Sequence, residues 1–329
     1  MRQVDRFHRL IPASAMALLL LGGFLPYAHA QSELLRGDRM PYAAFDKLTQ
    51  TDLAVPGGVI HVAFAAGDIA LPREKILDWI GTSAKAVSTY YGRFPVNSLK
   101  LLMVPVDGPR VRGGTTWGYR GAAIRVLLGR ESSEDDLRRD WVMVHEMVHL
   151  ALPDMELRYN WLSEGLAVYV EPVARVQSGD LDAREVWAAM MRDMSKGLPQ
   201  AGDQGLDNTD TWGRKYWGGA LFCLVADIEI RKATGNRLGL QDAMRGVIAA
   251  GGSHVVDWSI ERILATADRA VGVDALTRLH NEWGKTPVTP DLDNLWRSLG
   301  LRLQDGRLVF DDAAPLAAIR GAITAPHLE

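Results

Sequence analysis

The chain has 329 residues, 47% of them hydrophobic and 23% charged, with a formal net charge of −3. That length and apolar share suffice for a large core, arranged as one big domain or two lobes. The near-neutral balance argues against a nucleic-acid or anionic-membrane surface, and a single thiol, Cys223, excludes internal disulfides.

In chain order, Arg2, Arg6 and Arg9 precede an apolar stretch over 10–25, and Ala28-His29-Ala30 offers a small-residue cleavage site before Gln31. This predicts a secretory signal peptide over 1–30 and a periplasmic or secreted location. No later stretch reaches the ~20 apolar residues of a membrane-spanning helix. Residues 31–56 read as a loosely structured lead-in, 59–64 as a strand, 72–92 as a helix, and 99–106 and 121–130 as strands. Over 135–152, Leu137, Trp141, Val144, Val148 and Leu152 form the stripe of one amphipathic helix. Ser132, Ser133 and the acids Glu134, Asp135 and Asp136 suit its start, and Pro153 its end. A second helix follows, capped by Asn160 or Ser163 and ending at Pro172. Helices are then predicted at about 183–196, 213–234, 239–249, 256–270 and 273–283, with a last helix and a small hairpin in the tail. Cys223, within the apolar run ALFCLVA, reads as a small core residue.

The chemistry is concentrated in His145-Glu146-Met147-Val148-His149. Residues four apart share a helix face, so both imidazoles can address one metal ion while Glu146, about 100° round the axis, reaches a water beside it. Catalytic zinc takes three protein ligands and leaves one position open, so a third ligand is required. Leu152 and Met155 stand where the metzincin pattern needs glycine and histidine. Glu164 is the favoured third ligand, because a short loop around 153–159 folds the next helix back over the histidines. Glu171, seven residues on, falls near the same helix face and is its rival.

This motif, followed by WLSEGLAVY (161–169), resembles the gluzincin zinc metallopeptidases, most closely the peptidase MA-like and glycyl-aminopeptidase-like branches. The segment 215–248 is similar to a second stretch of that family, in which a tyrosine opens an apolar helix. The resemblance implies an α+β zincin (thermolysin-like) fold, with a small mixed sheet carrying the active-site helix and a helical C-terminal lobe. With the signal peptide read from residues 1–30, it leaves an α+β zincin lobe with both site helices (31–180) and a helical lobe closing the cleft (181–329). Zn2+ would be the cofactor, held by His145, His149 and Glu164, and peptides or proteins the substrate. Glu146 would be the general base, and Tyr216 the donor to the oxyanion; His254, in a glycine-rich loop, is the alternative donor. The strand at 121–130 would be the sheet edge on which an extended peptide pairs.

Three departures from the family pattern bear on the site. Gly218 replaces a lysine two residues after Tyr216. Val168 replaces a carboxylate that often orients a metal-bound histidine, leaving Glu171, Asp227 or a backbone carbonyl for that part. The segment 112–121 takes the rough place of an acidic motif that binds a free amino terminus, and it holds no acid. Arg110, Arg112, Arg120 and Arg125 read as a solvated basic rim. The competing function is a non-catalytic or latent zincin-fold protein that binds polypeptides or scaffolds an envelope complex. Glu146 favours the enzyme, since a binding protein has no need of a base.

Overall fold

Segments 98–106 and 123–129 are apolar on both faces, the pattern of strands covered from both sides, and they lie parallel in the middle of a five-stranded sheet. A computed structural model describes residues 39–326, so the predicted signal peptide lies outside the described residues. The strands are β1 (Gln50–Val55), β2 (Gly58–Phe64), β3 (Ser98–Val106), β4 (Val111–Trp117) and β5 (Ala123–Gly129), in the order β1-β2-β3-β5-β4. The three central strands run parallel and both edge strands antiparallel to their neighbours. Helix α2 (Arg73–Tyr91) makes the crossover from β2 to β3, and buries Ile76, Ile80, Val87 and Tyr90. A short helix, α1 (Tyr42–Phe45), belongs to a second, smaller apolar cluster with Met40, Leu102, Val104 and Trp117.

Two strand expectations are corrected. Part of the lead-in is strand β1, which completes a tight hairpin with β2. The sheet edge is β4, not the 121–130 strand, which is interior. Strand β4 reads VRGGTTW, and its two glycines and the irregularity between Val111 and Gly113 hide it from a propensity reading.

The predicted 135–152 helix is two helices, α3 (Glu134–Arg138) and α4 (Val142–His149). Ser133 and Asp136 close a capping box on the first, and the Asp140 carboxylate accepts a hydrogen bond from the Met143 amide at 3.0 Å to start the second. The apolar stripe survives the break except at Trp141, which is 53% exposed. Helix α5 (Asn160–Gln177) runs through Pro172 rather than stopping there. Proline costs it one main-chain bond. A buried Arg175 then holds its second half: the guanidinium donates to Glu171 (2.9 Å), to Asp180 (2.6 Å) and to the carbonyls of Asp140 (2.7 Å) and Arg138 (2.9 Å). One side chain thus ties the break before α4 to the helix carrying Glu164.

The rest of the described chain is largely helical: α6 (Ala183–Asp193), α7 (Gly219–Ala233), α8 (Leu240–Ala249), α9 (Ile260–Val271), α10 (Ala275–Trp283) and α11 (Leu292–Ser298). Hairpin β6–β7 (Leu301–Gln304, Arg307–Phe310) and α12 (Ala317–Ile323) follow. Residues 213–218, expected as ordinary helix, form a π-helical turn entering α7. Helices α5 and α7 touch at Gly165 and Gly219, where a Cβ on either would overlap the other helix's backbone. Cys223 is buried in α7, as expected of a core residue.

Candidate metal centre and cleft

Helix α4 presents His145 and His149 on one face, and α5 returns Glu164 opposite them. The Glu164 Oε2 atom lies 3.3 Å from His145 Nε2 and 3.7 Å from His149 Nε2. One ligand atom from each of the three residues lies within 4.8 Å of the others. Tetrahedral zinc with bonds of ~2.0–2.1 Å needs ligand atoms roughly 3.3–3.4 Å apart, so the donor set and spacing fit a zinc ion.

The opposite ring nitrogens differ in their support. His149 Nδ1 meets the Ser163 hydroxyl at 2.9 Å. His145 Nδ1 is buried and has no protein partner among the described residues. The candidates left for that role are engaged elsewhere. Glu171 pairs with Arg175, which also removes it as the rival ligand, and Asp227 accepts from Tyr169 (2.7 Å), Arg231 (2.8 Å) and the Leu240 amide (3.0 Å).

Glu146 lies under edge strand β4. The Thr116 hydroxyl is 2.6 Å from Glu146 Oε2 and 2.9 Å from its carbonyl oxygen. A Cβ at Gly114 would overlap the Glu146 side chain, so the second glycine of the strand is what gives the carboxylate room. Burial raises the Glu146 carboxyl above its ordinary range, opposed by His145 and by the Thr116 hydrogen bond. Burial, helped by His145, pushes His149 down to about 3, leaving a neutral imidazole suited to ligation. Burial also acts to raise Glu164, but His145, His149 and Asn160 outweigh it and hold the carboxyl low.

The π turn brings Tyr216 to the site. Its ring lies parallel to that of His145 with centroids 6.4 Å apart, and the phenol donates to Glu164. Burial and the Glu164 charge push it up to about 12, so it remains a donor. The turn is anchored by Arg214, which pairs with Asp203 at 2.8 Å and donates to the Gly197 carbonyl at 2.6 Å. His254 lines the same cleft, but its ring bonds the backbone of Leu152 and Thr116, so it holds the loop against the edge strand. Of the four arginines of the rim, Arg112 lines the cleft; Arg125 is buried over the Trp117 ring, and Arg120 lies over Tyr42.

These residues enclose a cavity of about 460 Å³ between β4, α4, α5 and the π turn. Sequence reasoning missed Thr116 and read Ser163 and Asn160 only as caps. The paired glycines before Thr116 were the one signal of a strand passing close to another group.

No protein-family model and no curated protein matches the chain. Solved structures do. An aminopeptidase N family protein from Idiomarina loihiensis superposes with a TM-score of 0.60 at 16% identity, over 78% of this chain and 50% of that one. An M1 zinc metallopeptidase from Deinococcus radiodurans, bound to a Tyr-Ser-Ala substrate, matches at a TM-score of 0.48 and 18% identity, over 74% of this chain and 54% of that one. The chain therefore shares its mixed-sheet and helical fold with a protein of the aminopeptidase N family. It spans about half the length of the solved structures it matches.

Proposed function

We propose that this chain is a zinc-dependent peptidase of the gluzincin type, with a thermolysin-like zincin layout, acting in the periplasm or outside the cell. The carrying observation is the convergence of His145, His149 and Glu164 beside a buried carboxylate, Glu146, that Thr116 holds in place.

His145, His149 and Glu164 would hold a zinc ion, which when bound would supply Lewis-acid chemistry and lower the pKa of water toward ~7. Glu146 takes the proton of the attacking water at a carboxylate oxygen and returns it to the leaving amine. Burial raises the affinity of this carboxyl for a proton, which favours its part as acceptor. In the reaction the Tyr216 phenol turns its single hydrogen from Glu164, which accepts it here, to the developing oxyanion. The free edge of β4 offers amides and carbonyls to an extended peptide, which sets the scissile bond across the cleft. The close fit of Glu146 under Gly114 and Thr116 supports catalysis over a binding-only role.

The test is cleavage of a diverse peptide mixture by zinc-loaded protein, read by mass spectrometry beside Glu146→Gln, with metal content measured in both. The expected result is cleavage by the wild type alone and equal zinc. Equal zinc with no cleavage by either protein would overturn the reading.

A further inference from the structure

Strands β4 and β5 fall out of step at the mouth of the cleft. Val111 pairs with Leu128 and Gly113 with Leu127, so Arg112 is an extra residue, a bulge in the free edge strand. Bulges bend a strand and re-aim a side chain, and they gather beside active sites. The approach to this one is fixed by Arg110, which has a φ of 68° and whose carbonyl accepts from the Gly129 amide at 2.8 Å. Arg112 itself is exposed, lines the cleft, and makes no hydrogen bond or ion pair among the described residues. The acids that line the cleft are committed: Glu146 accepts from Thr116, and Glu164 accepts from Tyr216 and faces both histidines. Those two carboxylates balance a divalent ion, and Arg112 leaves the cleft one positive charge in excess.

We infer that Arg112 binds a carboxylate of a peptide lying along β4, either its C-terminus or an acidic side chain, and so directs the cleft toward anionic segments and away from free amino termini. The inference rests on the peptidase reading above. A guanidinium presents a planar fork that meets a carboxylate with two parallel hydrogen bonds. Arg112 stands two residues before Gly114, which covers Glu146, and a strand advances ~3.3–3.4 Å per residue. A peptide paired with this edge therefore brings a group about two residues from the scissile bond beside the guanidinium. An ammonium group in the same place meets a like charge and finds no uncommitted carboxylate.

The test uses acetylated alanine hexapeptides in two series. One carries a C-terminal acid or amide; the other is amidated and carries glutamate or glutamine at each position in turn. Calorimetry measures their binding to zinc-loaded Glu146→Gln at low salt, where no turnover is needed. In at least one series the acid is expected to bind about fivefold tighter than its neutral partner, the upper end for an ion pair open to water. The series that shows the preference tells a C-terminal carboxylate from an acidic side chain. High salt should weaken the preference. Adding Arg112→Met should abolish it, Arg112→Lys should keep part of it, and Arg112→Glu should reverse it. The residue is exposed on an edge strand, so these changes leave the core untouched. Equal binding or none in both series would overturn the inference. So would a preference that Arg112→Met leaves intact, as expected of a carboxylate held by the metal alone. Preferential binding with no hydrolysis by the wild type would keep the part of Arg112 and remove the peptidase reading; hydrolysis without the preference would do the reverse.

Discussion

Thr116 is the residue on which the proposed part of Glu146 as a base most depends. Its hydroxyl has one hydrogen to give and two Glu146 oxygens within reach, the carboxylate at 2.6 Å and the carbonyl at 2.9 Å. Loss of it leaves a buried carboxylate oxygen without its donor and free to turn. Thr116→Val, nearly the same shape, is expected to lower kcat about tenfold with KM and zinc content little changed, while Thr116→Ser restores most of the rate. Equal kcat for valine and threonine would remove Thr116 from the site. None of this was legible in the sequence, whereas His145, Glu146, His149 and Glu164 were. The four lie on two helices, where spacing alone decides which side chains share a face. Thr116 reaches Glu146 across 30 positions of chain, by way of a strand that two glycines disguise.

At the scale of elements, the contact between α5 and α7 decides how closely Glu164 and Tyr216 approach. Gly165 and Gly219 meet backbone to backbone. On propensity alone, Gly165→Ala within a helix should stabilise by ~1 kcal/mol. The added methyl must instead push the helices apart, an overpacking cost of about 1–3 kcal/mol. Net destabilisation is therefore expected in thermal unfolding, and a raised Tm would mean that the two helices do not touch as described. Both helices were legible in the periodicity, but their joints were not. The break at residues 139–141 was hidden because the apolar stripe continues across it, and the continuation past Pro172 because Arg175 bonds groups that are remote in the chain.

For the molecule as a whole, the candidate ligands belong to helices at the centre of the principal core, with Val144, Val148, Trp161 and Leu166 packed around them. Metal binding is therefore coupled to global stability, since an ion that binds the folded chain alone stabilises it by RT ln(1 + [L]/Kd), ~4 kcal/mol at a thousandfold excess over Kd. Zinc is expected to raise the unfolding midpoint by several degrees and a chelator to reverse this, with the increment largely lost in Glu164→Ala. A zinc-independent midpoint in the wild type would contradict the three-ligand site. Among the described residues no helix is long and apolar enough to cross a membrane.

The π-helical turn at 213–218 has a further consequence. Each residue of an α-helix turns the axis by about 100°, and a wider i→i+5 turn shifts the phase of everything on one side of it relative to the other. Downstream, Ala220, Leu221 and Leu224 keep the phase that buries them, while upstream Tyr216 lines the cleft with the Trp212 ring stacked beside it, centroids 5.8 Å apart. A single-residue deletion in this turn is expected to return the helix to regular winding and rotate that wall, breaking the Arg214 anchor to Asp203 and Gly197 as it does so. The shape of the cleft is thus tied to chain length at one place, and to the buried arginine that holds it there.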